Sequence, residues 1–429
     1  MGELVFHGAA NEVGRSCIEL RSKNRYLFDY GIKFSSSGYD YPEGLKDPEQ
    51  VSALFLSHAH LDHSGGLPLL VHELSAKKVK FPFYMTPQTW GLIKILLKDS
   101  YKIARIKHLH PAYDSLDLRK ISLYVKPVRL GTQYEHRGDA FSFYNAGHIP
   151  GAGMLLLQTE GKNILYTGDF NPGKQLLMAP ADAHLPPIDI MITESTYGNR
   201  PLPEKAQLAE EFLSEVERVV KNGGRVVIPV FAVGRAQDIL IILSRAKWDV
   251  PVYFDGMATK ITKTVLRNSE RHLQGRPALK EMFSKVRFVS SEKRRNYAAT
   301  RPGIFVSTSG MVQGGPVIHY IKHIWHDPKS AIFLTGYQCH RCQGRMLLEE
   351  RAIYLKGWKT QVDCDVKQFM FSGHADQNHL HAFIESINPK KLIVQHGDPE
   401  AIEAMLAWGK KALPQTTVMG PSIGETITF

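Results

Sequence analysis

The stretch SHAHLDHSGG, residues 57–66, places His58, His60, Asp62 and His63 within six residues, directly after the apolar run VSALFLS. An apolar run of this length reads as a buried strand, and two glycines then open a segment with helical spacing. Alternation along the chain sends His58 and His60 to one side, while Asp62 and His63 follow on the loop toward the helix. Such a concentration of imidazole and carboxylate serves a divalent metal better than it serves a core or a surface.

The same style recurs outward from this stretch. RYLFDYG, FSFYNAGH, NILYTGDF and IDIMITES each run apolar and stop on an acid or a histidine, as do KQFMFSGHAD and KLIVQHGD near the end. Reactive side chains are thereby predicted at strand ends, along one edge of a sheet. HSGGLPLLVHEL and TPQTWGLIKILLKDSYKIARI have helical spacing. From about residue 204 the pattern changes. EKAQLAEEFLSEVERVVKNGG is an amphipathic helix stopped by two glycines, and RVVIPVFAVGRAQDILIILSRA reads as strand, turn and helix. VPVYFD, VRFV, GIFVSTS and AIFLTGY continue that alternation, which argues a parallel, Rossmann-like α/β unit. The predicted organisation is therefore 1–198 and 369–429 as one domain, with 199–368 inserted into it.

A chain of 429 residues suits two domains of ordinary size. No apolar run approaches the roughly 20 residues of a membrane span. MGELVFHGAA lacks the basic and long apolar regions of a secretion signal. Four cysteines do not make a disulfide framework in so long a chain. Together these predict a cytoplasmic protein with no membrane partner. Residues 199–368 hold 28 Lys+Arg against 16 Asp+Glu, whereas the remainder holds 25 against 26. All of the excess positive charge falls in the inserted segment, which favours a polyanion-facing lobe over an evenly solvated basic surface.

On these motifs the chain resembles the metallo-β-lactamase fold, and specifically its β-CASP subgroup of nucleases. Asp29 in YLFDYG, His148 in NAGHIPGAG and Asp169 in YTGDF match the family's further positions, in order. Glu194 in ITESTYG, His374 in FSGHAD and His396 in VQHGD resemble the three markers of the subgroup, and DGMA and STSGMVQGGP resemble segments of its inserted domain. The resemblance implies an αββα metallo-β-lactamase sandwich with an inserted parallel α/β β-CASP domain. Within the subgroup the chain is most similar to the shorter archaeal homologues of the cleavage and polyadenylation catalytic subunit, those without the N-terminal RNA-binding extension.

The chemistry implied is a two-zinc hydrolase. His58, His60 and His148 would hold one zinc ion and Asp62, His63 and His396 the other, with Asp169 bridging. His374, oriented by Glu194, would be the acid for a leaving ribose oxygen, and Asp62 belongs to the catalytic set. Asp29 would orient a ligand rather than bind metal. Single-stranded RNA is the expected substrate and endonucleolytic cleavage the expected mode, with 5′→3′ exonucleolysis as the alternative. A small-molecule metallohydrolase or an inactive RNA-binding scaffold are the readings from other classes. SSEKRRNYAATRPG is read as a basic loop, and KDSYKIARIKHLHP as a rim of the RNA path. PSIGETITF has strand character and could close the domain or pair two chains in a homodimer.

GYQCHRCQGR, residues 336–345, looks at first like a second metal site. It falls between the predicted strand AIFLTGY and a helix read over GRMLLEERAIYL. Only Cys339, His340 and Cys342 are local, so a structural zinc would need Cys364 or Cys17 as well. A disulfide is the other option. In the subgroup the position carries a Gly-Tyr-Gln loop ending in Gly-Arg, which implies a substrate-facing loop. Arg341 and Arg345 are then candidates for an RNA phosphate, together with Ser309 and Ser372.

Overall fold

The computed structural model describes residues 2–35, 38–268 and 271–429, and these form two compact units. The first comprises Met1–Lys174, Ala179–Pro201 and His374–Phe429. The second comprises Gln175–Met178 and Leu202–Gly373. The inserted unit therefore starts and ends a few residues later than the predicted 199–368, and it recruits a short upstream segment as well. That recruitment has a local cause. The Gln274 amide donates to the carbonyls of Gln175 (2.9 Å) and Met178 (2.6 Å), and the Gly275 N–H donates to Leu177 (3.0 Å). KQFMFSGHAD is divided by this boundary. Its first residues end the strand Asp365–Gln368 of the inserted unit, and the first unit resumes only at His374.

Among the described residues, two seven-stranded sheets build the first unit. One runs, edge to edge, Thr426–Thr428, Glu3–Gly8, Cys17–Arg21, Arg25–Phe28, Ala53–Phe55, Phe83–Met85 and Val125–Pro127. The other runs Thr417–Met419, Lys391–Val394, Ile190–Thr193, Lys162–Tyr166, Gly153–Thr159, Asp139–Asn145 and Gln133–His136. Their facing side chains, among them Phe6, Phe28, Phe55, Phe141, Leu155, Tyr166, Ile192 and Ile393, form one buried core. Period-two alternation sends the intervening residues outward. Leu392, next to inward Ile393, lies beside Gly409 of the helix Pro399–Ala412, and both faces of that sheet are covered. The helix Pro87–Ile106 rests against the strand Val125–Pro127 of the other sheet. The layering is the αββα sandwich expected. The terminal PSIGETITF supplies the edge strand Thr426–Thr428, paired antiparallel with Glu3–Val5.

The second unit has a six-stranded sheet, parallel throughout, in the order Arg287–Val289, Val252–Asp255, Ile304–Ser307, Val226–Pro229, Ala331–Leu334, Asp365–Gln368. Val227, Phe305, Ile332 and Leu334 pack one face against Tyr320, Ile321 and Leu347 from its helices. On the other face Phe212 of the helix Lys205–Lys221 meets Phe333 edge-on at 6.1 Å.

Two sequence readings are corrected here. SSEKRRNYAATRPG is not a loop: Ser291 caps the helix Glu292–Ala299, its hydroxyl accepting from the Arg294 N–H at 3.3 Å. Arg295 is spent on a bidentate pair with Asp255 (2.6 and 3.0 Å), and Arg301 lies over the Tyr297 ring at 4.1 Å. GRMLLEERAIYL is not one helix either. It stops at Glu350, Arg351 turns left-handed at φ 53°, and Ala352–Leu355 pairs with Trp358–Gln361 as a hairpin.

Candidate metal centre

Every candidate ligand follows the end of a strand in the first unit. His58, His60, Asp62 and His63 come after Ala53–Phe55, His148 after Asp139–Asn145, Asp169 after Lys162–Tyr166 and His396 after Lys391–Val394. The loop carrying the first four is fixed by backbone bonds to the segment 16–32. Ser16 N–H donates to Asp62 (2.8 Å), Tyr30 N–H to His63 (2.9 Å) and Ile32 N–H to Leu61 (2.9 Å). Gly31 is required by this approach, because a Cβ there would lie 1.7 Å from the Asp62 carbonyl oxygen.

The structure brings the seven residues together in two groups that share Asp169. His58, His60, His148 and Asp169 each offer a ligand atom within 4.8 Å of the others, and so do Asp62, His63, Asp169 and His396. His58, His63, His148, Asp169 and His396 are buried, while His60 and Asp62 are partly exposed. His58 Nε2 and both carboxylate oxygens of Asp169 are buried and make no hydrogen bond. Three orphaned polar atoms at one point would cost several kcal/mol if nothing compensated them. A divalent cation in each group compensates all three, and the donors, three imidazoles with a carboxylate in one group and two of each in the other, suit zinc. The residues therefore fit the metal that the fold implies.

The titration behaviour follows from the same crowding. Burial lowers His58 and His148, and it brings His60 down to about 3. The charge of neighbouring imidazoles adds to each shift. His63 goes the other way: burial opposes its charge, but Asp169, Asp62 and Asp29 outweigh burial and raise it. Burial also opposes the charge of Asp62 and Asp169, yet the surrounding imidazoles hold both carboxylates well down. The site is thus a nest of imidazoles anchored by carboxylates.

Asp29 sits beneath this nest, buried, at φ 61°. Its carboxylate accepts from His63 Nδ1 (2.6 Å), the Ser57 N–H (2.6 Å) and hydroxyl (2.7 Å), and the Tyr166 hydroxyl (2.7 Å). With Nδ1–H donated to Asp29, His63 turns its Nε2 toward Asp169, 3.2 Å away. Ser57 Oγ also lies 3.0 Å from His58 Nδ1. Ser57 and Tyr166 were not legible beforehand, since a lone hydroxyl has no spacing to betray it.

A third group joins the first two through Asp169, namely Glu194 and His374. His374 Nδ1 donates to Glu194 Oε2 at 2.8 Å. Glu194 is itself fixed by the Phe170 N–H at 2.8 Å and by the Thr196 hydroxyl at 2.5 Å, and the Asn171 amide holds the His374 carbonyl at 2.6 Å. Burial lowers His374, but Glu194 and Asp169 more than offset it and bring it up to about 9. Thr196 and Asn171 were also missed by sequence reasoning.

The four residues read as substrate contacts all lie in the second unit. Ser309 is partly exposed and its hydroxyl donates to the Gly314 carbonyl (3.3 Å). Arg341 is exposed with φ 66°, Arg345 pairs with Glu349 at 3.5 Å, and Ser372 is buried. All four cysteines are free thiols, and among the described residues none joins a metal-holding group.

Three family models match the chain. Residues 36–230 match the metallo-beta-lactamase superfamily, 236–347 the Beta-Casp domain and 359–419 the Zn-dependent metallo-hydrolase RNA specificity domain. A probable RNase, MJ4, of Methanocaldococcus jannaschii is 36% identical, with 99% of each chain covered. RNase aCSPSF2 of Saccharolobus solfataricus is 31% identical over 98% of this chain and 84% of its own. Cleavage and polyadenylation specificity factor 73 of Drosophila melanogaster is 31% identical over 91% of this chain and 59% of its own. The crystal structure of a protein of unknown function from Enterococcus faecalis covers all of both chains at TM-score 0.62 and 17% identity, a likeness of fold. With the ligand nest, the sandwich and near-full-length relatives in agreement, this chain belongs to the β-CASP family of metallo-β-lactamase-fold metallohydrolases.

Proposed function

We propose that this chain is a zinc-dependent, cytoplasmic ribonuclease that cuts single-stranded RNA internally. The observation that carries the reading is the nest of seven donors with its three orphaned atoms, with the Glu194–His374 pair beside it. Relatives named as RNases, a matched domain described by RNA specificity, and the positive excess over 199–368 support RNA over a small ester.

His58, His60 and His148 would hold one zinc and Asp62, His63 and His396 the other, with Asp169 shared between the two groups. When bound, such a pair of ions acidifies a water near neutral pH and neutralises phosphate charge. The chain's own residues do the rest. Asp29 holds the His63 ring in the tautomer that ligates, and buried side chains around Asp169 keep bulk water from competing. His374 carries a proton for the leaving 3′ oxygen, and Glu194 fixes the ring by its Nδ1–H. Ser309, Arg341, Arg345 and Ser372 are proposed to contact the RNA. A homodimer through the outer strand Thr426–Thr428 is likewise proposed, and light scattering at the mass of one chain would contradict it.

The mode of cutting is tested with a circular RNA and with a 5′-labelled linear RNA of the same sequence. Internal cleavage is expected to linearise the circle and to give discrete labelled fragments. Labelled mononucleotides with an intact circle would establish the exonucleolytic alternative instead.

A further inference from the structure

Cys339 and Cys342 take no part in the metal centre, yet they are not placed like inert core thiols. Cys342 is the N-cap of the helix Gln343–Glu350, and its sulfur accepts from the Arg345 N–H at 3.3 Å. Its own N–H closes a turn on the Cys339 carbonyl at 3.2 Å, which sets the two side chains on one tight turn, near enough for each thiol to shift the other. Cys339 is partly exposed, whereas Cys342 is buried. Cys342 also donates to Gln338 Oε1 at 3.7 Å. Gln338 in turn donates to the Gly310 carbonyl at 3.1 Å, and Gln343 and the Gly344 N–H bond the carbonyls of Val312 and Met311 at 3.2 and 3.1 Å. The pair thus sits where two strand-end loops of the second unit are fastened to each other.

We propose that Cys339 and Cys342 form a redox-active dithiol, with Cys339 the sulfur that meets a small-molecule disulfide and Cys342 the thiol that resolves it. Exposure sets that order, because only Cys339 reaches solvent. The contact between the thiols raises Cys339, and the same contact, with the Arg345 and Gly344 N–H groups, lowers Cys342. The pair therefore gives up its first proton readily and shares the second. In the first step the proton that the pair still shares passes to Cys342 as the Cys339 sulfur attacks one sulfur of the oxidant, whose S–S bond breaks, and the thiolate released takes that proton from Cys342. In the second, the Cys342 thiolate attacks the Cys339 sulfur and the mixed disulfide breaks, releasing the other half as a thiol. Two electrons and two protons pass from the dithiol to the oxidant. Cys17 and Cys364 are internal controls, because burial raises both, Cys364 to about 12.

The test uses fully reduced, full-length protein exposed to oxidised glutathione, then alkylated and mapped by mass spectrometry. The expected product is an intramolecular Cys339–Cys342 disulfide, with Cys17 and Cys364 unmodified. Cys342→Ser is expected to trap one glutathione on Cys339. Cys339→Ser is expected to react at least tenfold more slowly than the wild type. Should either variant fail to fold, the order of alkylation in native wild type decides, with Cys339 expected first. Absence of the 339–342 disulfide, a Cys339→Ser variant that reacts as fast as wild type, or first alkylation at Cys17 or Cys364 overturns the proposal. None of these readouts depends on RNA or zinc.

Discussion

Asp29 and His63 are joined by a 2.6 Å hydrogen bond from ring Nδ1 to carboxylate, with both side chains buried. The bond fixes which nitrogen of His63 faces Asp169, and the Ser57 and Tyr166 hydroxyls fix Asp29 in turn. A carboxylate beneath a ligand histidine sets its tautomer, its orientation and its basicity.

Asp29→Asn tests that arrangement. Asparagine tolerates the left-handed backbone at this position but replaces the charged acceptor. Zinc affinity, measured by competition with a chromophoric chelator, is expected to fall about 10–100-fold. An unchanged affinity would show that Asp29 does not position His63.

Glu194→Gln separates proton delivery from metal binding. It keeps the shape but removes the charge that orients His374 and sustains its proton. Single-turnover cleavage is expected to slow by about 10²-fold with metal content unchanged. Loss of metal from this variant would instead make Glu194 part of the ligand set.

Glu19 supplies a stability prediction away from the metals. Its buried carboxylate accepts from His7 (3.0 Å) and Arg21 (2.8 Å), and also from Arg25. Burial pushes its acid up, but these bonds outweigh burial and pull it down to about 2. A lowered folded value means that the stabilisation is complete above the unfolded value of about 4.5. It is lost as pH falls from there through about 2. Glu19→Gln is expected to cost about 3 kcal/mol at neutral pH, read from denaturant melts, and to flatten the acid limb between those values. An unaltered acid limb would contradict the assignment.

Ser291→Ala removes the cap of the basic helix Glu292–Ala299. A loss of about 1 kcal/mol of local stability is expected, seen as faster amide exchange over residues 292–299. Exchange equal to wild type would mean that the cap does not hold this helix.

What the sequence disclosed and what it hid divide along a physical line. HxHxDH is a local pattern, so its residues could be read as ligands without any knowledge of the fold. His148, Asp169 and His396 are far apart in the chain, and only the strand-then-ligand style and the family resemblance linked them. Ser57, Tyr166, Thr196 and Asn171 stayed hidden because one hydroxyl or amide carries no periodicity. EKRRNYAA was misread because its inward face is only Ala298 and Ala299, too little apolar surface to show a helical stripe. The turn at Arg351 was hidden too, since a non-glycine residue in the left-handed region gives no breaker signal. Gln175–Met178 joins the inserted unit through backbone carbonyls, which sequence does not distinguish.

The most direct measurement determines zinc per chain by elemental analysis and RNA cleavage on the same preparations of wild type and His374→Ala. Two zinc ions per chain are expected in both, with cleavage in the wild type and its loss, by at least about 10²-fold, in the variant. Full cleavage by His374→Ala, or by protein stripped of metal with a chelator, would contradict a metal-dependent ribonuclease built on this site.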